Sequence, residues 1–169
     1  MDTSFHWFFW LFPIAFAIHN IEEAIWFPAF SKSAGKYHKP VEKFEFAFAV
    51  IILTIVSIVI TILFSLNGKL SIACYLYFAF NFGMLINVFF PHLLATIALR
   101  KYCPGLLTGV LLLVPITIYI LLFGHSNKYF IFPRFWFIAI PFTLLVIGSI
   151  PFLFKLGKHF QIIFMQNSR

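Results

Sequence analysis

The sequence predicts an all-α fold, a polytopic membrane helical bundle of about five transmembrane helices. Of the 169 residues, 62% are hydrophobic and only 10% are charged, whereas a soluble domain carries about 25% charged residues. Five apolar stretches are each long enough to cross ~30 Å of hydrocarbon, which takes roughly 20 helical residues. They lie near residues 5–30, 46–66, 70–99, 106–123 and 135–154. Because these stretches occupy most of the chain, residues 1–169 are expected to form a single membrane domain.

The first apolar stretch is predicted to be a span rather than a cleavable signal peptide. Nothing before it is basic, Asp2 is acidic, and no small-residue cleavage site follows it. Prolines within the stretches (Pro13, Pro91, Pro115 and Pro141) are compatible with spans, because neighbouring helices can satisfy the carbonyls that a proline frees.

The basic residues indicate the orientation of the bundle. With five spans, the 31–43 loop, the 100–104 turn and the C-terminal tail lie on one side of the membrane. These segments contain nine of the twelve Lys and Arg residues: Lys32, Lys36, Lys39, Lys43, Arg100, Lys101, Lys155, Lys158 and Arg169. The positive-inside rule therefore predicts an outside N-terminus and a cytoplasmic C-terminus. The net charge of +7 is explained in this way, so no nucleic-acid partner is expected.

An imidazole and two carboxylates interrupt the first apolar stretch. His19 and Glu23 are four residues apart, so their side chains share a helix face that Glu22 flanks and Trp26 continues. A carboxylate near mid-membrane costs roughly 2.5–3.5 kcal/mol on insertion scales. Burial at this cost needs compensating partners and usually accompanies function.

The third stretch contains the expected partners, Asn87 and His92. Glu23 lies nine residues before Lys32, and His92 lies eight before Arg100. At 1.5 Å per residue, both side chains are therefore ~12–13 Å below the cytoplasmic charges. The first and third spans run in the same direction, so His19, Glu23 and His92 are predicted to converge.

Two features of the backbone are expected near the depth of Glu23 and His92. Pro91 cannot donate to the carbonyl of Asn87, so the third helix is expected to kink just before His92 and line a cavity. Pro104 and Gly105 predict a tight turn before the fourth helix.

The start of the fourth helix is a candidate anion site. Its exposed N–H groups beyond Gly105, together with Arg100 and Tyr102, would favour an anion such as a lipid phosphate. Trp26 is a further candidate for contact with a substrate. The alternative is that these are ordinary positive-inside residues beside a Pro-Gly turn.

Structural roles are also open for the polar cluster. His92 could simply be hydrogen-bonded to a neighbouring helix, and the glutamates could form a salt bridge with Arg100 or Lys101. Asn81 is expected to be ordinary interhelical glue.

The chain resembles the HXXEE family of small prokaryotic membrane proteins over roughly residues 5–120. The matching residues are His19, Glu22 and Glu23, then Asn87 and His92, then Arg100, Tyr102, Pro104 and Gly105, with Thr108 just after. Pro91 departs from the pattern. The resemblance implies a shared site in a bacterial cell membrane, but it names no reaction.

The leading hypothesis is an integral-membrane enzyme that acts on a lipid-like or apolar substrate in the cytoplasmic half of the bilayer. The candidate catalytic residues are His19, Glu22, Glu23, Asn87 and His92. In a metal-dependent version, one divalent Zn or Fe ion would be bound by His19, Glu23 and His92, with Glu22 as a further ligand or general base.

In a metal-free version, the two carboxylates would share a proton and act as acid and base. This chemistry is similar to that of intramembrane glutamate proteases, although their Arg four residues after the second Glu is Phe27 here. The non-catalytic alternative is a transport or ligand-binding protein that uses the cluster as a proton relay or cation site. Membrane lipids are the expected surroundings, and the oligomeric state is left open.

Overall fold

The computed structural model describes residues 5–35 and 39–167 as an all-helical chain. Its five long helices are α1 (Trp7–Ser33), α2 (Lys43–Asn67), α3 (Ile72–Leu99), α4 (Leu106–Ser126) and α5 (Phe132–Asn167). All five are long and apolar enough to cross a membrane. Asp2, Lys36 and Arg169, on which the predicted first span and the predicted orientation partly depend, lie outside the described residues.

Each predicted span corresponds to one helix, but α5 is much longer than predicted. The apolar run ends near residue 154, whereas the helix continues to Asn167 and reaches 36 residues, or roughly 54 Å at 1.5 Å per residue. Lys155 ends the hydrophobic pattern without ending the helix, because a charged side chain leaves the backbone hydrogen bonds intact. The extension packs on α2, with the rings of Phe48 and Phe160 5.4 Å apart.

Aromatic rings pack the end of the bundle where α1 begins. The buried ring of Phe9 contacts Phe64 of α2 at 5.0 Å and Tyr129 of the α4–α5 loop at 5.3 Å between centroids. Tyr77 of α3 donates its hydroxyl to the main-chain oxygen of Phe9 at 2.6 Å. These contacts fix the start of α1 against α2, α3 and the α4–α5 loop.

α3 lies at the centre of the bundle and changes its helical geometry along its length. It is α-helical over Ile72–Asn87, π-helical over Val88–Leu93 and α-helical again over Leu94–Leu99. Phe90 has a non-helical backbone (φ −136°, ψ 105°) directly before Pro91, which confirms the kink predicted ahead of His92. Up to Asn87 α3 packs chiefly on α5, and beyond it α3 packs on the start of α4.

The start of α4 inserts between α1 and the kinked part of α3. A π-helical segment, Gly109–Leu113, follows the first turn and faces the π-helical segment of α3. A Cβ atom at Gly109 would lie 2.9 Å from the side chain of Val88, so only glycine permits this approach. The fold thus brings α1, α3 and the start of α4 together at one end of the bundle.

We predict that Phe64→Ala destabilises the bundle by about 3 kcal/mol, because it leaves a cavity among close-packed rings. Thermal unfolding in detergent would measure the loss. Phe137→Ala is the control, because 82% of Phe137 is exposed. Equal unfolding temperatures for the two variants would contradict the assigned core.

Candidate functional site

The predicted convergence of His19, Glu23 and His92 is confirmed. His92 Nε2 lies 3.1 Å from Glu23 Oε1, and His19 Nε2 lies 3.7 Å from Glu23 Oε2. The two imidazole rings are edge to face, with centroids 5.2 Å apart. All three side chains are buried. One nitrogen or oxygen atom from each can be chosen so that no two are more than 4.8 Å apart.

The hydrogen bonds of Thr108 determine which nitrogen of His19 carries a proton. The Thr108 hydroxyl donates to Glu22 Oε2 at 2.5 Å and lies 3.2 Å from His19 Nδ1. A hydroxyl has one proton to donate, so Thr108 must accept from Nδ1–H. In the neutral ring Nε2 therefore carries a lone pair, and this buried atom has no hydrogen-bond partner among the described residues.

His92 is held in the matching orientation. Its Nδ1 lies 3.6 Å from Cys103 Sγ, and its Nε2 lies 3.1 Å from the amide nitrogen of Asn87. An Nε2 that accepts from this amide leaves the ring proton on Nδ1, facing the sulfur. In this tautomer the single lone pair of His92 Nε2 accepts from Asn87, whereas that of His19 Nε2 faces the carboxylate of Glu23 without a donor.

Two imidazole nitrogens and a carboxylate thus lie together, with the Asn87 amide as their donor in this tautomer. A carboxylate oxygen and two nitrogen lone pairs do not stabilise one another in a buried site unless a cation or a proton lies between them. The nearest basic residues do not provide that charge: within residues 5–35 and 39–167, no ion pair joins Glu22 or Glu23 to Arg100 or Lys101. Lys101 donates instead to Ser33 Oγ at 3.0 Å.

Glu22 has a different role from the predicted one. Its Oε1 accepts from the Tyr102 hydroxyl and, at 2.9 Å, from Gly105 N–H. Its Oε2 accepts from the N–H of Thr108 at 3.0 Å as well as from the hydroxyl. With both oxygens engaged, Glu22 faces the start of α4 rather than the two imidazoles. The expectation of a ligand or general base at this position is therefore not matched by its geometry.

The predicted anion site at the start of α4 is filled by this carboxylate. The N–H groups that were expected to bind a lipid phosphate bind Glu22, as a helix N-terminus favours. Burial, followed by the hydrogen bond to Glu22, raises the pKa of Tyr102 to about 12, so the phenol stays a donor near neutral pH. Arg100 is exposed at the end of α3, in a left-handed backbone conformation.

Trp26 is not brought to the cluster. It continues the polar stripe in sequence, but 54% of it is exposed, and it does not line the adjoining cavity. Asn81, expected to be interhelical glue, instead donates to the Tyr77 carbonyl of its own helix at 2.9 Å. In contrast, Asn20 joins α1 to Thr54 of α2 at 2.7 Å.

A cavity of about 270 Å³ adjoins the cluster between α1, α2, α3 and α5. Glu23, Asn87 and His92 form part of its wall, and most of the rest is aromatic or aliphatic. A buried polar cluster thus opens onto apolar space, which is the usual composition of a small-molecule site.

Sequence reasoning assigned no role to the residues that contact the Nδ1 atoms of the two imidazoles, Thr108 and Cys103. Thr108 lies three residues beyond Gly105, at a spacing where a side chain near a helix start can meet a carboxylate from another helix. Cys103 had no recognisable signal, because its contact with His92 depends on the chain turning back after α3.

Comparison with known proteins identifies the same region. A family model described as "Protein of unknown function with HXXEE motif" matches residues 10–120. The Bacillus subtilis (strain 168) protein described as "Uncharacterized protein YrkK" is 36% identical over 146 residues, which cover 86% of this chain and 92% of that protein. No solved structure matches the chain significantly.

We predict that Gly105→Ala disrupts the cluster. Gly105 has φ +94°, and its added Cβ would lie 2.8 Å from His92 Cε1 and 2.9 Å from His19 Cε1. Gly35→Ala is the matched control, since Gly35 also has positive φ (+57°) but nothing within 4 Å. Thermal unfolding should show Gly105→Ala less stable than the control by about 2 kcal/mol, the cost of overpacking. Equal stability would mean that the turn does not press on the imidazoles.

Proposed function

This chain belongs to the family defined by the HXXEE motif, and we propose that it is a metal-dependent integral-membrane enzyme acting on a lipid-like substrate. The proposed ligands are His19, Glu23 and His92, two imidazoles and one carboxylate. The observation that carries the proposal is the convergence of these three buried groups, in which His19 Nε2 has no hydrogen-bond partner among the described residues.

The distances are compatible with one ion. Tetrahedral bonds of ~2.1 Å separate ligand atoms by roughly 3.4 Å. His92 Nε2 lies 3.1 Å from one oxygen of Glu23 and His19 Nε2 lies 3.7 Å from the other, and one ligand atom from each residue can be chosen within 4.8 Å of the others. Both zinc and non-haem iron accept two imidazoles and a carboxylate and leave coordination positions open.

The residues around the ligands supply what such a centre requires. Thr108 and Cys103 contact the Nδ1 atoms and so aim both Nε2 atoms at Glu23, as outer hydrogen-bond partners of metal-binding histidines do. A bound ion would polarise a substrate oxygen or activate water at its open positions. His92 Nε2 would give up the hydrogen bond from Asn87 on binding an ion, which frees that amide to orient a polar group of the substrate. The apolar cavity excludes bulk water from the substrate.

The proposed location is the cytoplasmic half of a bacterial cell membrane. Five apolar helices, with nine of the twelve basic residues on one side, support an outside N-terminus and a cytoplasmic C-terminus. The cluster lies near the cytoplasmic ends of α1 and α3, so membrane lipids are both its surroundings and the source of its substrate.

A second candidate is a proton relay, used in transport or in metal-free acid–base catalysis. The observation that favours it is a hydrogen-bonded path from Tyr102, which is 49% exposed, through Glu22 and Thr108 to His19. Such a path could exchange protons between the membrane surface and the buried cluster.

We predict about one zinc or iron ion per chain in detergent-purified protein, measured by elemental analysis. The His19→Ala/His92→Ala double variant should lose this metal, because it removes two of three ligands. The control is His125→Ala/His159→Ala, which removes two exposed histidines and should keep the metal. Metal retained in the first variant would contradict the ligand assignment. No bound metal in the wild-type protein, even after incubation with zinc or ferrous ion, would favour the proton relay.

We predict that a cysteine at position 126 reacts with a membrane-impermeant maleimide in intact bacteria. One at position 158 should react only after the cells are opened, because α5 ends in the cytoplasm in the proposed topology. Ser126 and Lys158 are exposed, and the native Cys74 and Cys103 are buried, so background labelling should be low. The reverse labelling pattern would invert the topology.

A further inference from the structure

The cavity beside the cluster indicates a class of ligand. We propose that it binds a neutral, single-chain lipid whose polar group lies inside the hydrocarbon chain, as in a long-chain alkyl ester. The substrate role of this lipid rests on the proposed function, but its binding depends only on the cavity.

The polar part of the cavity wall lies in the middle, with apolar walls on both sides. Toward the bilayer centre the wall is mostly apolar, with Phe16, Phe80, Met84 and Phe142 beside the hydroxyl-bearing Thr143, and the Phe80 and Phe142 rings are 5.8 Å apart. Toward the cytoplasmic end it consists of Phe27, Phe30, Phe46, Leu99 and Phe154, with the Phe27 and Phe46 rings 4.8 Å apart. Glu23, Asn87 and His92 lie between these two apolar arms.

A lipid with a terminal head group fits this arrangement poorly. If its head lay at the cluster, its chain could fill only one arm and would leave the other without a partner. No Lys or Arg side chain is among the described residues of the wall, so a phosphate would have no basic side chain to pair with. An internal ester places hydrocarbon in both arms and its oxygens in the middle, where the Asn87 amide has N–H donors for a group that can only accept.

The volume limits the number of chains. The cavity volume of about 270 Å³ is slightly below the roughly 300–1,000 Å³ that is usual for ligand cavities. A single chain is therefore favoured over a two-chain phospholipid.

The ligand has a route from the membrane. α3 packs on α5 as far as Asn87, and beyond the kink it packs on the start of α4 instead. Pro91 of α3 and Ile147 of α5 both line the cavity and are exposed on the outer surface, Ile147 by 42%. The wall thus reaches the surface of the bundle between α3 and α5, where lipid chains would surround it.

A photoreactive probe tests this proposal. The probe is a long-chain alkyl ester with a diazirine beside the ester and a terminal alkyne, added to the full chain in nanodiscs. We expect cross-links to residues of the cavity wall. Ala95→Phe should reduce labelling at least five-fold, because Ala95 lines the cavity. Ala98→Phe is the matched control on the same helical turn, since Ala98 is exposed and outside the wall, and it should label like the wild type.

Competition on the wild-type protein tests the internal position of the polar group without any variant. An unlabelled ester should displace the probe at a concentration at least ten-fold below that of a fatty acid or lysophospholipid of equal total chain length. Equal displacement by either charged lipid, or equal labelling of the wild type and Ala95→Phe, would overturn the proposal.

The same probe separates this inference from the proposed function. The His19→Ala/His92→Ala variant should still be labelled, because the apolar walls remain. Labelling of a protein that binds no metal would leave the ligand class standing and remove the metalloenzyme. A protein that contains the metal but is not labelled in the cavity would leave the metalloenzyme standing and remove the ligand class.

Discussion

The carboxylate of Glu22 at the start of α4 holds together the parts of the molecule that form the site. It accepts the N–H groups of Gly105 and Thr108 and the hydroxyls of Thr108 and Tyr102. These bonds join α1 to a helix that lies more than 80 residues further along the chain. A carboxylate that satisfies a helix N-terminus offsets both its own burial and that of the unpaired N–H groups. The carboxylate of Glu22 therefore fixes the position of α1 against the start of α4, and the neighbouring side chains are arranged around it.

The two adjacent glutamates have different partners and therefore different roles. Glu22 has four donors and is saturated, whereas Glu23 faces two imidazole nitrogens and a cavity. The Thr108 hydroxyl connects the two halves, because its donation to Glu22 obliges it to accept from His19 Nδ1. Glu22 thus determines, through the Thr108 hydroxyl, which nitrogen of His19 carries the proton. Packing at Gly105, directly against both imidazoles, keeps the rings at this separation.

The kink in α3 has two consequences for the same site. It turns His92 toward Glu23, and it moves the end of α3 from α5 to α4, so the cavity is left between α3 and α5. The polar cluster and the apolar cavity beside it therefore have a common structural origin in the backbone around Pro91.

The sequence by itself determined the helical class, the number of long helices and the level at which His19, Glu23 and His92 meet. These features follow from properties of short stretches of sequence, namely the length of the apolar runs, the helical rise per residue and the spacing of polar residues along one helix face. The kink at Pro91 belongs to this group, since a missing N–H is a property of the residue itself. Only the tertiary structure decided that Glu22 binds the start of α4, that Trp26 stays exposed, and that Thr108 and Cys103 orient the imidazoles. It also decided the length of α5, whose extension beyond Lys155 packs on α2. These features depend on which segments approach one another after the chain turns, and hydrogen bonds between residues 80 or more positions apart leave no periodic trace in sequence.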